Sequence, residues 1–110
     1  MIDWGRVNNL RDEIGVDDFS EVIELFLEET DDVIIKFPDP SNCDGIGKSL
    51  HFLKGSALNL GFSDLAAICQ EGERIANTGT TVGIDLGRVA AVYHSSKRAF
   101  LIGLQALSAA

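Results

Sequence analysis

The sequence predicts an all-α protein: an antiparallel four-helix bundle with a short N-terminal helix as a cover. Three observations lead there. Apolar residues recur at three- and four-residue steps along most of the 110 residues. Glycine, proline and asparagine break that pattern into a few long segments with short connections. The only β-branched cluster, "TGTTVGI", is short and broken by glycine.

The first helix runs from Asp3, its N-cap, to Glu13, with Gly15 after it and with Trp4 and Leu10 facing inward. The second begins near Asp17 and ends at Phe37, before Pro38. Its apolar stripe is Phe19, Ile23, Phe26, Val33 and Phe37, with Thr30 filling one step. Glu21, Glu24, Glu28, Asp31 and Asp32 lie opposite and read as a solvated acidic face.

"PDPSNCDG" is the clearest loop. The third helix then runs to about Leu60, with Gly61 as a left-handed stop. Ser63 caps the fourth, "SDLAAICQEGERIAN", which ends at Gly79 and buries Leu65, Ile68, Cys69, Gly72, Ile75 and Ala76. A final helix covers roughly residues 84–108 and packs through Leu86, Val89, Tyr93, Phe100, Leu104 and Leu107.

The length suits one domain over residues 1–110, and 45% hydrophobic residues are enough for a core. A net charge of −8 argues against nucleic acid and anionic membrane surfaces, both of which ask for a basic patch. A protein partner with a basic or metal-bearing rim fits better. The N-terminus shows no basic-then-apolar leader, and no apolar run approaches the roughly 20 residues that span a bilayer. Cys43 and Cys69 form no C-x-x-C pair and read as reduced thiols, hence a cytoplasmic location.

On the third helix Leu50, Leu53, Ala57 and Leu60 form the core stripe. At about 100° per residue, His51 lies roughly 160° from the direction of that stripe, on the outer face. Lys48, Lys54, Gly55 and Leu58 share this face. Gly55 costs about 1 kcal/mol relative to alanine inside a helix, so a steric reason is expected. Leu58 is an aliphatic residue where a polar one belongs. Imidazole, ammonium, cleared backbone and exposed aliphatic together suit a docking platform around a nucleophile. Phosphoryl transfer needs mainly positioning and charge neutralisation, which Lys54 can supply beside His51. What that reading still needs is an acceptor for Nδ1–H that leaves Nε2 free.

The stretch "LHFLKGSALNLGFSDLAAICQEGE" resembles the histidine-containing phosphotransfer (HPt) domain, with its H-x-x-K-G-S/T-A-x-x-x-G pattern and later Leu, Cys and Glu. His51, Lys54, Gly55, Ser56, Ala57, Gly61, Leu65, Cys69 and Glu73 match, and "FSEVIELFLEETDDVI" looks like the family's preceding helix. The resemblance implies a four-helix bundle passing phosphate between a histidine and receiver-domain aspartates. It implies His51 as phosphoacceptor, Lys54 as phosphate-stabilising cation and Glu73 as the group that orients the imidazole. Lys48, Phe52, Gly55 and Leu58 then form the partner-binding face.

The implied partners are a response-regulator receiver domain and a sensor histidine kinase, hybrid or accompanied by a receiver. No cofactor is expected on this chain, and Mg²⁺ is expected on the receiver; a monomer is expected in the cell. Two alternatives are a non-catalytic helical module that docks a receiver-like partner, and a kinase phosphoacceptor module acting in trans. The carboxylate at position 73, a choice of the chemotaxis-kinase version of the module, keeps the latter open.

Other motifs fail on spacing. "DGIGKS" would need glycine at Asn42 to be a phosphate-binding loop, so no ATP site or self-phosphorylation is expected. A calcium loop at "PSNCDG" would need Pro40 as a ligand. His51, His94, Cys43 and Cys69 lack zinc spacing, and His94 reads as structural or solvated.

Overall fold

The computed structural model describes residues 2–109, with side chains to residue 106. Five helices follow one another: α1 (Trp4–Ile14), α2 (Val16–Ile35), α3 (Cys43–Leu60), α4 (Ser63–Ala76) and α5 (Leu86–Ala109). Helices α2 to α5 form the antiparallel bundle and α1 is the cover, in a body of 47 × 20 × 20 Å. Among the described residues no strand forms; Ile2 and Phe62 make an isolated bridge.

Asp3 caps α1, its Oδ1 accepting the Arg6 amide at 3.1 Å. Gly15 alone joins α1 to α2, at φ 101°, a region open to glycine and strained for other residues. The cover is pinned at its start. Asp3 N–H donates to the Gly61 carbonyl at 2.7 Å, and Trp4 stacks on Phe100 with ring centroids 6.0 Å apart. The indole lies over Gly103, where a Cβ would overlap it.

Helix α2 ends at Ile35 rather than Phe37, and its buried stripe is rotated from expectation. Leu27 and Ile34 are buried with Phe19, Ile23 and Thr30, while Phe26, Val33 and Phe37 are half-buried. The Thr30 hydroxyl donates to the Phe26 carbonyl at 2.6 Å, which satisfies its buried oxygen.

Asp31 departs from the solvated face expected of it. Its carboxylate accepts from the Tyr93 hydroxyl and from Lys97 Nζ at 2.8 and 3.0 Å, tying α2 to α5. Burial pushes its pKa up, but the bonds from Lys97 and Tyr93 outweigh that and hold it below the ordinary aspartate value. Tyr93 is pushed the other way, first by burial and then by Asp31.

Helix α3 starts earlier than expected. Asn42 is its N-cap, accepting the Gly45 amide at 2.9 Å, so Cys43, Asp44 and Gly45 are helical rather than loop. The remaining loop is anchored by Thr81, whose hydroxyl donates to the Pro40 carbonyl at 2.8 Å. Gly61 ends α3 in the left-handed conformation at φ 75° as expected, and a Cβ there would stand 2.6 Å from the Asp3 carbonyl oxygen.

Ser63 is the first helical residue of α4 and not its cap: Phe62 holds that position without a side-chain bond, because its ring is committed to the core. Phe62 meets Phe100 edge-on at 5.3 Å. Helix α4 ends at Ala76 and a turn carries the chain through Gly79; Ile68 and Ile75 are half-buried rather than buried. Ile46, Leu50, Leu53, Leu60, Leu65, Tyr93 and Phe100 complete the fully buried core. Leu86 and Leu104 are half-buried, and the side chain of Leu107 lies outside the described residues.

Candidate functional site

Because Leu50, Leu53, Ala57 and Leu60 all turn inward from α3, His51 is turned out, with its side chain 71% exposed. Lys54 follows one turn later. Glu73 comes from α4, and packing explains how it arrives. A Cβ at Gly72 would stand 2.8 Å from Leu50 Cδ1, and one at Gly47 would stand 3.3 Å from Ala76 Cβ. The two helices therefore approach through missing side chains. With Leu50 seated on Gly72, the next residue on each helix, His51 and Glu73, can meet.

They meet closely. Glu73 Oε2 lies 2.7 Å from His51 Nδ1, and Oε1 lies 2.7 Å from Lys54 Nζ. Oε1 is fully buried and receives no well-aligned hydrogen bond, so the Lys54 charge is what compensates it. The ammonium is the largest cause holding the Glu73 carboxyl below the ordinary glutamate value; burial opposes it, and the His51 bond and charge add to it. Glu73 is thus ionised at neutral pH. Nδ1 is occupied and Nε2 makes no hydrogen bond among the described residues.

Beside the ring is a cleft of about 440 Å³, lined by Cys43, Lys48, His51, Phe52, Glu73 and Asn77 among others. The Cys43 thiol donates to the Ala76 carbonyl at 3.2 Å. Lys48 pairs with Asp44 at 3.1 Å on the surface. Phe52 and Leu58 are exposed apolar residues on the His51 side of α3. Nothing lies within 4 Å of a Cβ built at Gly55, so the chain's own packing does not require glycine there. The steric reason expected at Gly55 is therefore not internal; the residue leaves bare backbone facing outward.

A larger groove of about 750 Å³ runs between α4 and α5, past Ile68, Ile75, Val89 and Val92, and does not include His51. Its size reflects the open seam of the bundle, and it contains no histidine or cysteine.

His94 is exposed, with its ring 5.4 Å from that of Tyr93. Cys69 is fully buried, and burial, then the Glu73 charge, push its thiol up to about 12. Among the described residues no three His, Cys, Asp or Glu groups are placed to hold a metal.

The structure brings His51, Lys54 and Glu73 into one cluster, with Lys54 on the carboxylate rather than reaching into open solvent. It places Lys48 and Phe52 on the adjoining cleft and Gly55 and Leu58 further along α3. Two features escaped the sequence reading. The Asp44–Lys48 pair is hidden in the sequence because the turn-forming residues around Asp44 predict a loop there. The seating of Leu50 on Gly72 had a visible signal, a glycine within a core stripe.

Comparison with known proteins places the chain in a family. The Hpt domain family matches residues 19–109. The chain is 34% identical over 93 residues to the "Phosphorelay intermediate protein YPD1" of Candida albicans, an alignment covering 77% of this chain. The chain spans about half of that relative, 47% of its length. No solved structure matches it significantly.

Proposed function

We propose, for a chain that belongs to the Hpt domain family, the role of phosphoryl carrier in a two-component phosphorelay. His51 takes a phosphoryl group from the phosphoaspartate of one receiver domain and gives it to the aspartate of another. The observation that carries this reading is the contact between Glu73 and His51 Nδ1, 2.7 Å long, on a ring otherwise open to solvent.

The chemistry follows from that contact. With its proton on Nδ1 and donated to Glu73, the neutral ring presents the Nε2 lone pair outward. Nε2 attacks phosphorus, the acyl P–O bond breaks, and the receiver's carboxylate leaves with the bonding electrons. Nδ1 keeps its proton. The phosphoimidazolium carries a positive charge, which the Glu73 carboxylate faces. The reverse step runs through the same atoms, so one geometry serves acceptance and donation. The open space over Gly55 and the apolar side chains of Phe52 and Leu58 give the receiver's loops room and a surface to dock on.

The receiver supplies Mg²⁺ and this chain supplies no cofactor. The chain is an intermediate and not a kinase, works as one domain over residues 1–110, and acts as a monomer in the cytoplasm between a sensor histidine kinase and a response regulator. In support, among the described residues no helix is long and apolar enough to cross a membrane.

The test is to measure docking and transfer separately. His51→Ala is expected to bind a receiver and to accept no phosphate. Undiminished phosphorylation of the variant would refute the carrier role. Labelling of wild type by a kinase with ATP but by no receiver would favour the kinase-module reading instead.

A further inference from the structure

We propose that Lys48, and not Lys54 alone, is the cation that meets the phosphoryl group on His51; the proposal rests on His51 being the phosphoacceptor. The two lysines that flank His51 on α3 each sit in an ion pair, Lys48 with Asp44 and Lys54 with Glu73 of α4, and the pairs differ in how easily they let go.

Lys54 is 26% exposed and its ammonium sits 2.7 Å from Glu73 Oε1. That oxygen is fully buried, and Lys54 is the group that compensates it. If Lys54 swung out to a phosphoryl group, a buried anionic oxygen would lose its compensation, which is costly. Lys54 is thereby committed to holding the carboxylate that holds the ring.

Lys48 is placed otherwise. It is 78% exposed, one helical turn before His51 and on the same face. Among the described residues it is the only lysine or arginine lining the cleft beside the imidazole; Asn77 on the opposite wall is uncharged, and Lys54 is not part of that lining. Its partner Asp44, at 3.1 Å, is itself 82% exposed. Exposed pairs of this kind are worth about 0–1 kcal/mol. A phosphoryl group carries close to two negative charges against one on Asp44. Lys48 therefore exchanges Asp44 for the phosphoryl oxygens at little cost, with Asp44 as the resting partner that keeps the ammonium near the cleft. No bond forms or breaks at Lys48: it neutralises charge while Nε2 bonds to phosphorus.

The experiment uses the full chain and phosphoramidate, a small donor that needs no docking surface, so a purely partner-binding role for Lys48 has no effect on it. Lys48→Gln is expected to slow phosphorylation of His51 about three- to tenfold at low salt, less at high salt. The ³¹P resonance of the phosphohistidine should titrate at higher pH in this variant, since a neighbouring cation favours the dianion. Lys48→Arg should restore both, and Asp44→Asn should speed the reaction. A Lys48→Gln protein with wild-type rate and unmoved ³¹P titration would overturn the proposal while leaving the phosphoacceptor intact. A wild type that takes no phosphate on His51 from phosphoramidate or a receiver would overturn the phosphoacceptor reading and this proposal with it.

Discussion

The two oxygens of Glu73 divide their work: Oε2 holds His51 Nδ1 and Oε1 holds Lys54 Nζ, each at 2.7 Å. One carboxylate from α4 thereby fixes both the ring and the ammonium of α3. Glu73→Ala is expected to slow phosphorylation of His51 about tenfold, the scale of one hydrogen bond to a charged group. ¹⁵N NMR of the imidazole should show mixed tautomers in the variant and a proton held on Nδ1 in wild type. A single unchanged tautomer with unchanged rate would show that the contact does not matter.

Gly72 sets the helix spacing on which that contact depends. A Cβ there would stand 2.8 Å from Leu50 Cδ1, a terminal methyl that can move only by disturbing a fully buried side chain. Gly72→Ala should cost about 1–3 kcal/mol of stability by overpacking, read by urea denaturation. Transfer should fall as well, because the α3–α4 gap widens between His51 and Glu73. Leu50→Val on top of Gly72→Ala should recover part of both; no recovery would mean that the contact with Leu50 is not the cause.

Asp31, Lys97 and Tyr93 hold the opposite side of the bundle. Tyr93→Phe removes one hydrogen bond to a carboxylate that keeps Lys97, and should cost about 1–2 kcal/mol. Lys97→Met leaves Asp31 half-buried without its cation, and its cost should exceed that of Tyr93→Phe. A double-mutant cycle checks the coupling, and equal, additive losses would show that the three do not act as a network.

The pH dependence of stability follows from the depressed carboxyls. Glu73 and Asp31 both titrate below their ordinary values in the folded state, because Lys54 and Lys97 favour the charged forms. Their stabilising contribution is complete above the unfolded values, 4.5 and 3.8, and is lost as pH falls through the lower folded values. Chemical denaturation should show stability falling with acidification below about pH 4.5, and Lys54→Met or Lys97→Met should flatten that fall. An unchanged slope in both variants would contradict the assignment.

The outward turn of His51 was legible because α3 has one unambiguous apolar stripe, and its geometry follows from Leu50, Leu53, Ala57 and Leu60 alone. Helix α2 was harder. It carries apolar neighbours at Phe26 and Leu27 and again at Val33 and Ile34, so periodicity leaves its rotation open by about 100°. Packing against the other helices chose Leu27 and Ile34. Asp31 could not be separated from the acidic run around it, since its partners lie 62 and 66 residues away. The start of α3 was obscured by turn-forming residues, although Asn42 ahead of Cys43 carried the N-cap signal. Spacing puts Lys54 within reach of a phosphoryl group on His51, but it cannot reveal that Glu73 holds its ammonium.

Every step of the carrier role depends on His51 as the site of phosphate attachment. Incubation with a phosphorylated receiver and Mg²⁺, followed by acid-lability and mass measurements, addresses it most directly. Wild type should carry one acid-labile phosphoryl group on His51, and His51→Gln should carry none. Equal labelling of His51→Gln, or a label found on another residue of wild type, would contradict it.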